Sequence, residues 1–245
     1  MLIKILKSLR LFLRKKTGKQ LGPYPNLYMQ NRKKIITFFK INVIIDVGAN
    51  KGGYAKDLLE IDFKGRIISF EPLSEAFKEL KKKSEKVKTW AIYNFALGNE
   101  NFESIINIAG NSLSSSLLPM LPSCVESAPE SKYIAEEVIQ VKTLDSLFPT
   151  IVNKNEIVML KIDTQGYEKY VLEGSELSLE SISVIQIEMS IVPLYRDSIL
   201  FIEMIEYLSA KGFTLFSMEN VFSNPENGQL LQVDGIFVKS NLMKM

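Results

Sequence analysis

Apolar positions along this chain alternate between two kinds of stretch. Short runs rich in branched side chains, VIIDV at 43–47, RIISF at 66–70, EIVMLKI at 156–162 and SVIQIEMS at 183–190, read as strands buried on both faces of a parallel sheet. Between them, Tyr54, Leu58, Leu59 and Ile61, then Phe77 and Leu80, recur at helical spacing. A third strand and its exit lie in TWAIYNFALGNE, and Ser74 is the expected cap of the helix before it. Near the C-terminus, a helix begun by Asp197 or Ser198 is expected to turn Ile199, Ile202, Ile205 and Leu208 inward and to stop at Gly212. Strands at 213–217 and 233–239 follow, with Asn227-Gly228 as a turn signal between them. The rhythm breaks only at 102–141, where strand-like ESIINIA and EEVIQV flank a Ser- and Pro-rich loop. The pattern predicts an α/β fold with an insertion, which is where specificity for a substrate is expected to reside.

The strand at 43–47 ends in a glycine-rich turn. Gly48, Gly52 and Gly53 permit positive φ and a close approach of backbone to a ligand. Glu71 ends the next strand 23 residues after Gly48, about where a nucleotide-binding βαβ unit sets an acid on ribose hydroxyls. Asn50 stands where the dinucleotide fingerprint needs its second glycine, so an adenosine ligand without phosphates fits this turn better.

A second acidic cluster ends the later strands. Asp163 closes one strand, Thr164, Gln165 and Gly166 make the turn, YEKYVLE the helix, and Gly174 is its expected C′ stop. Glu188 is in the next strand, and both acids are expected at the crevice beyond the strand ends, sharing a proton and serving as general base. With Asp145 they could instead hold a divalent metal, the less favoured reading, or cap the helices that follow; Asp145 itself reads as a cap.

Composition narrows the chemistry. The 30 basic and 28 acidic residues leave a formal charge of +2, no case for nucleic-acid binding. One cysteine, Cys124, excludes an intrachain disulfide and a Cys-rich zinc site and suits a reducing cytosol. The absence of histidine removes Ser-His-Asp and Cys-His catalysis, so any base must be Asp, Glu, Lys, Tyr or a metal-bound species. Residues 1–16 set Leu2, Ile5, Leu6, Leu9, Phe12 and Leu13 against a lysine- and arginine-rich face. This predicts an amphipathic helix, lying on the inner membrane surface or packed on the domain or a second subunit. A linker follows, then a helix in 26–40 that covers the sheet edge or joins the substrate entrance. The oligomeric state stays open, a dimer included.

DVGANKGG followed by SFEP resembles the S-adenosylmethionine-binding half of a class I methyltransferase. NFALG, NSLSSSL, TLDSL, LKIDTQGYE and LLQVD are similar to motifs of the FkbM family, over about residue 41 to the C-terminus. The resemblance implies a Rossmann-like sheet, mostly parallel with an antiparallel last strand, over 41–245, with 1–40 as an N-terminal helical extension. It implies S-adenosylmethionine as cofactor and S-adenosylhomocysteine as product, bound by Asp46, Gly48, Asn50, Gly52, Glu71, Asn94, Ala96 and Asp163. Asp163 and Glu188 become the catalytic pair, and Asn111, Ser115, Ser116, Gln165 and Asp234 the acceptor side. The implied reaction is O-methylation of a sugar, glycan or small natural product. The chain departs from the pattern at Gln165, where many members carry Glu, which makes Asp163 the safer base. A nucleotide-dependent oxidoreductase and a non-catalytic scaffold are the rival readings.

Overall fold

The computed structural model of the protein describes residues 25–244. The amphipathic stretch expected at 1–16 and nearly all of the linker after it lie outside the described residues. A helix α1 (Leu27–Phe38), capped by the Asn26 side chain accepting from Met29 N at 2.9 Å, leads into the sheet. Strands β1 (Val43–Val47), β2 (Arg66–Phe70) and β3 (Trp90–Tyr93) alternate with helices α2 (Gly53–Glu60) and α3 (Ser74–Ser84). After a short β4 (Ala96–Leu97), the insertion supplies β5 (Phe102–Ala109), α4 (Pro122–Ser127) and β6 (Tyr133–Lys142). The second half adds α5 (Leu144–Ile151), β7 (Val158–Ile162), α6 (Glu168–Glu173), β8 (Ile182–Ser190), α7 (Phe201–Ala210), β9 (Phe213–Ser223) and β10 (Leu230–Lys239).

The main sheet runs β3-β2-β1-β7-β8-β10-β9, parallel from β3 to β8. As expected, the last strand enters against the others: β10 is antiparallel to both β8 and β9. Every residue of β1 and β7 is buried, because helices cover both faces. Ile44 packs under α1 and α2 with Ile36, Ala55 and Leu58, while Val43, Ile45 and Val47 face the layer holding Leu144, Leu172 and Leu208. The insertion is a separate three-stranded sheet, β4-β6-β5, whose Ile106, Ile139 and Val141 pack on Leu73 and Ala76 at the start of α3.

Several local expectations move. α3 is capped by Leu73, one residue early, and Ser74 bonds Glu137 of the insertion instead. α7 starts at Phe201, because Asp197 adopts φ +61 and Leu200 is still extended beside Ser190; Ile202 is exposed and Met204 takes the inward place. Gly174 does stop α6, with φ −81. Glycine is required there because a Cβ would lie 1.8 Å from the Gly98 carbonyl oxygen. Gly212 does stop α7 with φ +80, and Gly228 turns the final hairpin at φ +76.

Candidate active site

The tips of β1, β2 and β7 open into one cleft of about 510 Å³, a volume suited to a small-molecule ligand. At its centre the chain leaves β1 through Gly48, at φ +75, where a Cβ would lie 1.9 Å from the Asp163 carbonyl oxygen. Only glycine lets the two strand ends meet this closely. Asn50, at φ +46, turns its N–H onto Glu71 Oε2 at 2.7 Å, and Leu73 N donates to Oε1 at 2.8 Å. Burial pushes Glu71 up to about 7, with those two N–H groups working against the push. The insertion closes this end: Asn50 Nδ2 donates to the Ser112 carbonyl at 3.2 Å, and Ile106, Ser115 and Ser116 line the cleft beside Ala96.

Beneath the cleft a buried polar row crosses four strands in register: Ser69, Asp46, Lys161 and Gln186. Trp90 Nε1 donates to Ser69 Oγ at 2.9 Å, and Ser69 Oγ to Asp46 Oδ2 at 3.3 Å. Lys161 Nζ lies 3.2 Å from Asp46 Oδ1 and 3.4 Å from Asp163 Oδ2. The Asp46 contact is an ion pair at an angle outside hydrogen-bond geometry, so Oδ1 has no hydrogen-bond donor. Burial opposes the Lys161 charge, but Asp163, Asp46 and Asp234 outweigh it and hold the ammonium above its ordinary value. Tyr54 donates to Gln186 Oε1 at 2.9 Å, and Gln186 Nε2 to Asp234 Oδ2 at 2.7 Å.

The turn after β7 gathers the second acidic cluster. Glu168 accepts from Thr164 N at 2.9 Å and Gly166 N at 3.1 Å, so this buried acid, pushed up to about 7 by desolvation, anchors the turn. Gln165 Nε2 donates to Asp163 Oδ1 at 2.9 Å and to Glu188 Oε2 at 2.7 Å, while Oε1 accepts from the Tyr195 hydroxyl at 2.8 Å. Gln232 Nε2 donates to the same Glu188 oxygen at 2.7 Å. Burial first, then Asp163, Glu168 and Asp234, raise Glu188 well above the usual carboxylate range.

Of the residues expected from the sequence, Gly48, Asn50, Glu71, Ala96, Asn111, Ser115, Ser116, Asp163, Gln165 and Asp234 all border this cleft. Four do not. Asp46 is wholly buried under the turn, held by Lys161 and Ser69. Gly52 faces Leu80 and Trp90, where a Cβ would come within 2.9 Å of either. Asn94 turns outward, its amide tying the Glu71 and Pro72 carbonyls. Glu188 is 5% exposed and sits behind Gln165 rather than against it as a partner sharing a proton with Asp163. Asn111, Ser115 and Ser116 border the cleft but bond Ser114, Ser112 and Gln165 within the protein, so they shape the wall. Asp145 caps, accepting from Leu177 N and Ser178 N, far from any role with Asp163; no group of three metal-binding side chains occurs among the described residues.

Residues 46–215 match the Methyltransferase FkbM domain, over two thirds of the chain. The chain belongs to the FkbM methyltransferase family. Membership implies S-adenosylmethionine as the methyl donor. The FkbM methyltransferase of Methylobacillus flagellatus superposes with a TM-score of 0.50 and 13% identity, over 80% of this chain and 43% of that one. This chain therefore spans less than half the length of that relative, and the likeness carries the fold alone. An S-adenosylmethionine-dependent methyltransferase from Clostridium acetobutylicum superposes at TM-score 0.47 with 7% identity, over 96% and 98% of the two chains. Among curated proteins none matches the sequence. No helix among the described residues is long and apolar enough to cross a membrane.

The cleft also contains residues that sequence reading missed. Arg32 of α1 reaches the cleft, 3.4 Å from Glu219 Oε2 and 3.9 Å from Asp57 Oδ2, with its guanidinium 4.5 Å from the Tyr54 ring centre. Arg32, Glu219 and Asp234 all lie outside the matched segment 46–215. Gln186 had a legible signal, a lone amide in an apolar strand; Arg32, one cation among several in its helix, had none.

Proposed function

We propose that this protein methylates an acceptor hydroxyl on a sugar, a glycan or a small natural product, using S-adenosylmethionine, with Asp163 taking the proton. The observation that carries this reading is one cleft lined together by the Gly48 turn, Glu71 and Asp163. The residues fit the cofactor: the turn is bare of side chain at Gly48, and both Glu71 oxygens keep lone pairs for ribose hydroxyls beyond their single N–H donors. Ala96 and Ile106 offer an apolar wall for an adenine. The cofactor supplies a methyl group already activated on a sulfonium, so no nucleophilic side chain is needed, which agrees with the missing histidine.

What the protein adds is alignment and a proton acceptor. Asp163 is fixed by Gln165 on Oδ1 and by Lys161 near Oδ2, yet its side chain keeps 37% exposure toward the cleft. Tyr54, Gln186, Asp234 and Arg32 line the space beyond it, polar groups able to hold acceptor hydroxyls. With the cofactor bound, its methyl group would pass from sulfur to the acceptor oxygen, and Asp163 is the group placed to take the hydroxyl proton.

Calorimetric titration with S-adenosylhomocysteine and with NAD tests the cofactor, binding of NAD alone supporting the oxidoreductase instead. Mass spectrometry of glycans and metabolites, with and without the gene, identifies the acceptor by a gain of one CH₂. Asp163→Asn should lower turnover by roughly 10²- to 10⁴-fold while S-adenosylhomocysteine binding stays within a few-fold. An unchanged cellular phenotype for that variant would favour a non-catalytic scaffold.

A further inference from the structure

Gln165 stands at φ +55. That left-handed conformation is costly for a side chain larger than Asn, so the surroundings must hold it there. The hold is a single carboxamide with every strong contact spoken for: Asp163 at 2.9 Å and Glu188 at 2.7 Å on the nitrogen, Tyr195 at 2.8 Å on the oxygen. The amide orientation is settled by chemistry, since a flipped oxygen would face two carboxylates and leave the Tyr195 hydroxyl without its acceptor. Tyr195 is 1% exposed and packs against Gly166, where a Cβ would come within 2.8 Å of it, so the pin cannot drift.

Two carboxylates converging within 3 Å of one point repel unless a proton, a metal ion or a donor lies between them. Here that point holds an amide nitrogen. Gln232 supports the arrangement from β10 with a second amide on Glu188, and Lys161 with a charge near Asp163. The backbone of the turn is tied separately by Glu168, through Thr164 N and Gly166 N.

We propose that Gln165 is a positioning residue whose amide occupies the place where a divalent cation would otherwise bridge Asp163 and Glu188, so that Asp163 is aimed at the cleft without metal. The inference rests on the reading of Asp163 as proton acceptor. It goes further in assigning Glu188 and Tyr195 as the far anchors of the same clamp. A carboxylate at position 165 would assemble three hard oxygen ligands about one point, the set that Mg²⁺, Mn²⁺ and Ca²⁺ prefer.

The experiment titrates Mn²⁺ alone into the full chain as wild type, Gln165→Glu, Gln165→Ser and the double variant Gln165→Glu with Glu188→Gln. Binding is followed by calorimetry and by the electron spin resonance of free Mn²⁺, with thermal melts by circular dichroism reporting the fold. Gln165→Glu should bind one Mn²⁺ at least about tenfold tighter than wild type, and the double variant should lose that gain. Gln165→Ser, which vacates the same point with two carboxylates left, should show a smaller gain and decides the matter if Gln165→Glu does not fold. Folded Gln165 variants that bind Mn²⁺ no better than wild type would overturn the proposal, as would a gain that survives loss of Glu188. Failure of the wild type to bind S-adenosylhomocysteine would count against methyl transfer instead, and the Mn²⁺ comparison would still decide the clamp.

Discussion

Glu71 and Glu188 are both buried acids near the C-terminal ends of parallel strands, and they end up in opposite surroundings. Glu71 follows β2, borders the cleft and takes its two donors from backbone, Asn50 N and Leu73 N. Glu188 lies in β8 in register with Asp234, is 5% exposed behind Gln165, and takes its two donors from side chains, Gln165 and Gln232. Backbone donors fix Glu71 with one N–H on each oxygen at the cleft border; both amides on Glu188 go to Oε2, and Gln165 stands between that acid and the cleft. An acid near a strand end thus faces the cleft or is closed off from it according to which groups donate to it.

The largest expected effect strikes the joint between the two regions. Gly48→Ala drives a Cβ against the Asp163 backbone, and should destabilise by about 3 kcal/mol or more, seen as a melting point lower by roughly 10 °C. Next, Glu71→Ala removes a charged acceptor facing ligand and should weaken S-adenosylhomocysteine binding about 100-fold by calorimetry. Glu188→Gln should leave that affinity within about threefold, and an equal loss in both variants would erase the contrast.

The pH dependence sharpens it. Burial raises Glu71 from 4.5 to about 7, and a carboxyl raised on folding stabilises the fold only while protonated. The ligand-free protein should therefore lose stability as pH rises from about 4.5 through 7, with Glu168, also raised to about 7, contributing in the same direction. Ribose hydroxyls donate to the charged form, so affinity for S-adenosylhomocysteine should rise over that interval with proton release, measurable in buffers of different ionisation enthalpy. Glu71→Gln should flatten the rise. The smallest effect belongs to Asn94→Ala, which loses only ties to two carbonyls at the surface and should shift binding by less than about twofold.

Much of this was legible because it is local. β1, the Gly48 turn and α2 follow from consecutive residues, as does the end of β2 at Glu71, since strand burial, positive φ and helical spacing each act over a few positions. Asp163 and its turn were legible for the same reason. Asp46 and Gly52 were placed in the cofactor site on their neighbours' strength, but the pleat sends Asp46 under the turn and Trp90 and Leu80 claim the space at Gly52. Gly174 does stop α6, but the reason it must be glycine, contact with Gly98, lies 76 residues away in the chain.

The amino-acid order alone set the α/β class, the strand that starts it, the elbow after it and the acids that could do chemistry. It could not say which of those acids meets the cleft. That was decided when β8 came to lie beside β10 and Tyr195 came to face Gln165, because a carboxylate's role depends on donors brought to it across the sheet, and those donors are far away in sequence.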